Sequence, residues 1–225
     1  MITVRNVCKT LRGNDVLRDI SMAFEPERVV GLSGPNGSGK TMLMRIIAGL
    51  VRPTQGFVDV DGRVVGKDIA FPPSLGLLLE GPTFINGYSG FDNLKALASI
   101  RNVVDDDTIR SWIERVGLDP ASKRRYRAYS LGMKQRLGMA AALMESPAFV
   151  MLDEPTNALD ADGVQMVRRE IEAARDRGAA VVLACHDASV LRGLSDEIWY
   201  LAEGHIDRHE VLTGPVDPQE ACHGK

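Results

Sequence analysis

Gly34-Pro35-Asn36-Gly37-Ser38-Gly39-Lys40-Thr41 has the spacing GxxxxGK followed by Ser or Thr, a loop whose backbone N–H groups can wrap a polyphosphate. Its glycines let the chain bend round phosphate oxygens, and a helix starting there would add its positive dipole end. Lys40 would bring a cation to the terminal phosphates, and the Thr41 hydroxyl could ligate Mg²⁺. Far downstream, the apolar run Phe149-Val150-Met151-Leu152 stops abruptly at Asp153-Glu154. Such a run reads as an interior strand that delivers Asp153 to Mg²⁺ and Glu154 to an attacking water. The two motifs together predict a protein that binds a nucleoside triphosphate with Mg²⁺ and hydrolyses it.

Those residues need a scaffold that brings them together. Arg28 to Leu32 reads as a buried strand feeding the loop. Lys40 to Leu50 reads as the helix behind it, with Leu43, Ile46, Ile47 and Leu50 on one stripe. Ile2 to Val7 and Ile20 to Phe24 alternate apolar and polar side chains, as half-exposed antiparallel strands do. Phe57 to Val60, Asp61-Gly62 and Arg63 to Val65 predict a hairpin with a favoured Asp-Gly turn. Helical spacing then dominates over Phe91 to Ile100, Thr108 to Val116 and Met133 to Met144. Strand and helix alternate afterwards: Ala148 to Leu152, Val164 to Arg175, Ala179 to Ala184, a short helix through Leu191, and Glu197 to Leu201. The pattern predicts an α/β core holding a mostly helical insertion. One domain is expected, with its core over about 1–83 and 146–213, the insertion over about 84–145 and a loose tail over about 214–225.

Composition excludes several classes. A net charge of −3 over 225 residues supplies no global positive field, so nucleic acid is not expected as a partner. The basic run Lys123-Arg124-Arg125-Tyr126-Arg127 reads as a solvated face, with anionic lipid headgroups or a membrane-protein loop as the functional alternatives. Three widely spaced cysteines, Cys8, Cys185 and Cys222, build no disulfide framework and favour a reducing compartment. Cys185 follows an apolar run and reads as a small buried hydrophobe; Cys222-His223 is not read as a metal site. No stretch reaches the roughly 20 apolar residues needed to span a bilayer. The start, Met1 to Arg5, alternates like a strand rather than like a signal peptide. A cytoplasmic protein is expected, with any membrane link supplied by a partner.

Tyr129-Ser130-Leu131-Gly132-Met133-Lys134-Gln135-Arg136 is a third motif. By itself it is a Ser and a Gly opening a helix, which makes an anion site or an N-cap. In order with the other two, it resembles the signature of ATP-binding cassette (ABC) ATPases, usually written LSGGQ with a basic residue and Gln-Arg after it. The form YSLGMKQRL is similar to that of the bacitracin-type group, the ATPase subunits of drug- and bacteriocin-resistance exporters. The resemblance covers essentially the whole chain. Asn157-Ala158-Leu159-Asp160 resembles the family's D-loop, and His186 its switch histidine, which contacts the γ-phosphate.

The resemblance implies an α/β fold: a P-loop NTPase core of the ABC ATPase type with an antiparallel β subdomain and a helical subdomain. It implies a homodimer or heterodimer packed head to tail, ATP on one glycine loop being closed over by the signature of the other subunit. Gly34, Pro35, Asn36, Gly37, Ser38, Gly39, Lys40 and Thr41 would then hold ATP, and Lys40, Glu154 and His186 would be catalytic. Ser130, Gly132 and Asp160 would reach across the dimer, while Thr41, Asp153 and Glu80 would hold Mg²⁺. Glu80 stands where the family usually has the Q-loop Gln, a change also seen in the bacitracin-type group. Leu11 stands where an aromatic ring usually stacks on adenine, and Leu131 and Met133 replace a Gly and a Gln of the general signature. The implied function is the ATPase subunit of an exporter, on the inner face of the cell membrane and bound to a separate integral membrane permease. The alternative is a soluble ABC ATPase acting on ribosomes or nucleic acid. The chain shows one cassette where translation-associated members typically carry two, and the interval between glycine loop and signature leaves no room for the long coiled coil of chromosome-maintenance members.

Overall fold

Arg12 and Gly13, at φ 50° and 83°, turn β1 (Ile2–Leu11) back onto β2 (Asn14–Phe24) as an antiparallel hairpin. The structure, a computed structural model, describes residues 1–212, so the tail expected over about 214–225, with Cys222-His223, lies outside the described residues. Both strands run further than the alternation in the sequence suggests. Register shifts between Val4 and Thr10 break the period of two, and residues near the hairpin tip are exposed on both faces.

β3 (Val29–Ser33), buried through its first four residues, leads into the glycine loop and then α1 (Lys40–Ile47). α1 is shorter than its pattern predicts: it stops at Ile47, and Leu50 lies beyond it with 62% of its surface exposed. β4 (Gln55–Val60) and β5 (Arg63–Val64) flank the expected Asp61-Gly62 turn. β6 (Leu75–Leu78) is a four-residue edge strand that nothing in the sequence announces, because Leu-Gly-Leu-Leu fits any short apolar segment.

The helical stretch contains α2 (Gly90–Ala98), α3 (Asp106–Arg115) and α4 (Leu131–Leu143). Ile109, Ile113 and Val116 bury one face of the α3 region, as their helical spacing predicts, and Trp112 is buried with them. Then follow β7 (Phe149–Asp153), α5 (Ala161–Asp176), β8 (Ala180–Ala184), α6 (Ala188–Leu194), β9 (Glu197–Ala202) and β10 (His205–Val211). β10, which carries mostly polar side chains, is paired by the turn at Glu203-Gly204 rather than by a hydrophobic pattern.

Two sheets result. The first is antiparallel, in the order β2-β1-β4-β5; the second runs β10-β9-β3-β8-β7-β6, parallel from β9 to β6 with β10 antiparallel at the edge. Parallel strands covered on both faces read as continuous apolar runs, and β7 shows why. Val150 and Leu152 face the core beneath α3, α4 and α5, while Phe149 and Met151 face the core shared with α1 and the first sheet. The observed α/β architecture, with an antiparallel sheet and a helical region packed on a parallel core, is the one the motifs imply.

Candidate active site

The C-terminal ends of β3 and β7 point to the same edge of the sheet, separated only by β8. That edge is where open parallel sheets bind ligands. The glycine loop follows β3 and can fold only as it does because two positions lack a side chain. A Cβ on Gly34, at φ 148°, would sit 2.2 Å from the Leu201 carbonyl oxygen; one on Gly39, at φ 106°, would sit 2.6 Å from Leu17 Cδ2. The loop therefore lies directly on β2 and on the β9–β10 turn, whose Gly204 N–H donates to the Ser38 carbonyl at 3.2 Å.

The loop is built for an anion. The N–H groups of Gly37, Gly39, Lys40 and Thr41 have no acceptor among the described residues, and the buried Ser38 Oγ also lacks a partner. Buried polar groups are otherwise almost always paired. Lys40 Nζ donates to the carbonyls of Gly34 at 2.6 Å and Pro35 at 3.2 Å, which places an ammonium at the mouth of the loop. A cavity of about 240 Å³ opens here, lined by residues 36 to 42 with Val16, Asp153 and Glu154.

Thr41 Oγ1 donates to Asp153 Oδ2 at 2.8 Å, so hydroxyl and carboxylate oxygens from α1 and β7 meet. Burial pushes the Asp153 carboxyl above its ordinary range, the Thr41 hydrogen bond opposing that shift and the Glu154 charge adding to it. A divalent cation beside it would favour the ionised form, and the hard oxygen donor set suits Mg²⁺. Glu154 continues the chain at φ 51°, a left-handed conformation uncommon for a residue with a side chain. Its carboxylate lies 2.7 Å from His186 Nδ1, and the imidazole is exposed. Cys185, just before, is buried as expected, and burial raises its thiol.

The other expected site residues are placed as follows. Glu80 lies near enough to raise the Asp153 carboxyl, but its own carboxylate pairs with Arg45 of α1 at 2.6 Å. Leu11 stands exposed at the β1–β2 tip and does not line the phosphate cavity; Val16 of β2 does. Ser130, Gly132 and Asp160 do not line that cavity either. Ser130 Oγ caps α4 by accepting from the Met133 N–H at 3.2 Å. Asp160 caps α5 by accepting from the Gly163 N–H at 2.9 Å, a bond that holds its carboxyl below the ordinary range with help from Arg136. The cations at Lys123, Arg124, Arg125 and Arg127 are all exposed around a buried Tyr126.

Two neighbours of the site escape sequence reasoning. Val16 has no motif, and only the register of β2 against the loop places it there. Gln135 belongs to the Gln-Arg pair that closes the signature resemblance, but that resemblance implies no role for it; its side chain turns out to be buried against the loop after β7.

Comparison with known proteins agrees with the geometry. The family model described as ABC transporter matches residues 17–157. An uncharacterized ABC transporter ATP-binding protein of Bacillus subtilis, YybJ, is 40% identical, over 96% of this chain and all of that one. The bacitracin transport ATP-binding protein BcrA of Enterococcus faecalis is 33% identical, over 92% of this chain and 68% of that protein. In fold, the chain matches the dimeric post-hydrolysis structure of the ATP-binding cassette MJ0796 bound to ADP and Pi, with a TM-score of 0.85. That match covers 95% of this chain and 100% of the other at 24% identity. The chain belongs to the ABC transporter family, as an ATP-binding ATPase subunit with a bacitracin-transport protein among its relatives.

Proposed function

We propose that this ATPase works with Mg²⁺ as a head-to-tail dimer, homomeric or heteromeric, and powers export through a separate membrane permease. ATP binding closes the dimer and hydrolysis reopens it. The observation that carries this reading is the separation of the signature from the glycine loop: Ser130 and Leu131 are exposed and lie outside the phosphate cavity of their own chain. A second subunit is needed to bring a signature to each nucleotide. There Ser130 and Gly132 offer a helix start to the γ-phosphate, and Asp160 sits on the shared face.

Within one chain, the loop N–H groups and Lys40 bind the phosphates. Thr41 and Asp153, with Glu80 alongside, would hold Mg²⁺, which when bound neutralises charge on the transferring phosphoryl group. Glu154 orients a water and takes its proton as the new P–O bond forms and the bond to ADP breaks, while His186 steadies Glu154 and meets the γ-phosphate. Leu11, at the exposed β1–β2 tip, would meet the base from outside the phosphate cavity and without a π-face, so modest affinity for nucleotide is expected. Base stacking is worth roughly 1–3 kcal/mol, so Leu11→Tyr should tighten ATP several-fold or more. Equilibrium titration of ATP and GTP against both proteins checks this, and no gain from the tyrosine would remove Leu11 from the base site.

Among the described residues no helix is long and apolar enough to cross a membrane. The permease contact is supported by an apolar cleft of about 370 Å³ at the junction of the core and the helical region. Leu50, Phe71, Leu97 and Ile100 line it, and all four are exposed. A permease helix laid there would cover them. Burying such a side chain is worth roughly 1.5–3 kcal/mol, so Leu50→Glu with Ile100→Glu should lower membrane association tenfold or more. Fractionation of the native cells reads this, with ATPase activity of the isolated subunit as the control. A wild-type protein found wholly in the soluble fraction would overturn the permease reading. The relatives' transport names lend no support to a ribosomal or nucleic-acid role.

A further inference from the structure

Helix α4 does more than present Ser130. Three residues on one of its faces, Gly132, Gln135 and Arg136, lie against the loop that joins Glu154 to Asp160. Their spacing of i, i+3 and i+4 is that of neighbours on a helix surface. Gly132 approaches so closely that a Cβ there would stand 2.9 Å from the Ala158 carbonyl oxygen. Gln135 Nε2 donates to the Glu154 carbonyl at 3.0 Å, and Arg136 Nη2 donates to Asp160 Oδ1 at 3.0 Å. The second guanidinium nitrogen of Arg136 donates to the Val116 carbonyl at 2.8 Å, tying the same helix to the end of α3.

Glu154 needs such support. Its left-handed backbone persists only where the surroundings dictate it. Close packing does not supply this, because a cavity of about 110 Å³ lies on its flank, lined by Glu80, Gln135, Asp153 and Asn157 among others. Hydrogen bonds supply it instead. The Glu154 N–H donates to the Ala184 carbonyl at 2.8 Å, and its carbonyl accepts from the Asn157 N–H at 3.1 Å as well as from Gln135. Of these, only the Gln135 bond comes from the helical region. Gln135 is itself 5% exposed and makes this bond across 19 residues of sequence.

We infer that Gln135 is a positioning residue for Glu154, and that α4 thereby joins the signature covering one nucleotide to the base serving the other. The second half rests on the shared-site dimer proposed above. Gln135 stands five positions after Ser130, about 7.5 Å along a stiff rod, so a shift imposed on Ser130 by the partner's nucleotide reaches Glu154 nearly undiminished.

The experiment compares wild type with Gln135→Met, which keeps length and loses the donor, and Gln135→Glu, which keeps shape and turns an acceptor toward the carbonyl. Each variant is assayed for ATP affinity, steady-state ATPase against ATP concentration, and thermal stability. The expected result is a kcat about 10- to 100-fold lower, since small misplacements of a catalytic group have effects of that size, with KM and ATP affinity within about twofold. In a Glu154→Gln background, measured by single turnover, Gln135→Met should lower the residual rate no further. A structural role would instead lower both backgrounds alike, or weaken ATP binding along with kcat, and would overturn the assignment. If Gln135→Met fails to fold, the isosteric Gln135→Glu decides alone. The link between sites is read from the Hill coefficient, expected above 1 in wild type and near 1 in the variants. A kcat loss with the Hill coefficient held at its wild-type value overturns the link and leaves positioning intact. A wild-type protein that stays monomeric with ATP overturns the dimer itself, and the non-additivity with Glu154 still tests Gln135.

Discussion

Glu154→Gln is expected to bind ATP as the parent does, to hydrolyse it at least about 10²-fold more slowly, and to accumulate as an ATP-bound dimer. Gln keeps the shape of Glu and can still meet His186 Nδ1, 2.7 Å away in the parent, so the local fold should survive. It cannot accept the proton that water must lose. General acid–base catalysis by a positioned side chain contributes typically 10²–10⁴-fold, which sets the size of the loss. Phosphate release and light scattering in the presence of ATP and Mg²⁺ measure the two consequences together. Brisk turnover would show that another group activates water; loss of ATP binding would mean that the substitution has disturbed the loop between β7 and α5.

The second large effect tests whether the site is shared. Lys40→Ala and Ser130→Arg, each made alone, should fall by roughly 10²–10³ in rate, the usual result of removing one preorganised donor to a transferring group. Mixed together, the two inactive proteins should recover activity. A dimer of one of each has a composite site with an intact Lys40 from one subunit and an intact Ser130 from the other. If the subunits pair at random, about half the dimers are mixed and roughly a quarter of all sites are whole, which bounds the recovery for independent sites. Co-purification of differently tagged subunits shows that the mixed dimers form. No recovery in such a preparation would count against a site built from two chains. Lys40 Nζ also donates to the Gly34 and Pro35 carbonyls of its own loop, so thermal melting of Lys40→Ala is the control that separates loss of the ammonium from loss of the loop fold.

Gly34 to Thr41 are legible in the sequence because their geometry is local: positive φ at Gly34 and Gly39, and a helix starting at Lys40, follow from residue types close together along the chain. Asp153 and Glu154 are legible because an apolar run that stops at two acids marks a buried strand reaching the edge of its sheet. That Thr41 and Asp153 meet, 112 residues apart, can be anticipated only from the motifs' usual company; the bond itself is a product of strand order. Leu50 shows the opposite case. Its spacing is helical, but α1 ends before reaching it, and the side chain becomes part of an open cleft.

The sequence by itself determined which residue types stand at which spacing: a glycine-rich loop ending in Lys40-Thr41, an apolar run closed by Asp153-Glu154, and a segment that resembles the ABC signature. Those are covalent facts about residue type and short spacing, which survive any packing. Only the tertiary structure decided which of these groups touch. Strand β6 became a strand through the bonds it makes to β7, and β10 through its turn from β9, because ladder pairing depends on neighbours that the local pattern does not contain. Val16 entered the phosphate cavity through the register of β2, and Leu11 stayed at the hairpin tip outside it. Gln135 came to hold Glu154 because α4 lies on the loop after β7, a contact set by helix packing over the whole core. Residue types are inherited along the chain, whereas a hydrogen bond between distant segments exists only once burial of the apolar faces has fixed their relative positions.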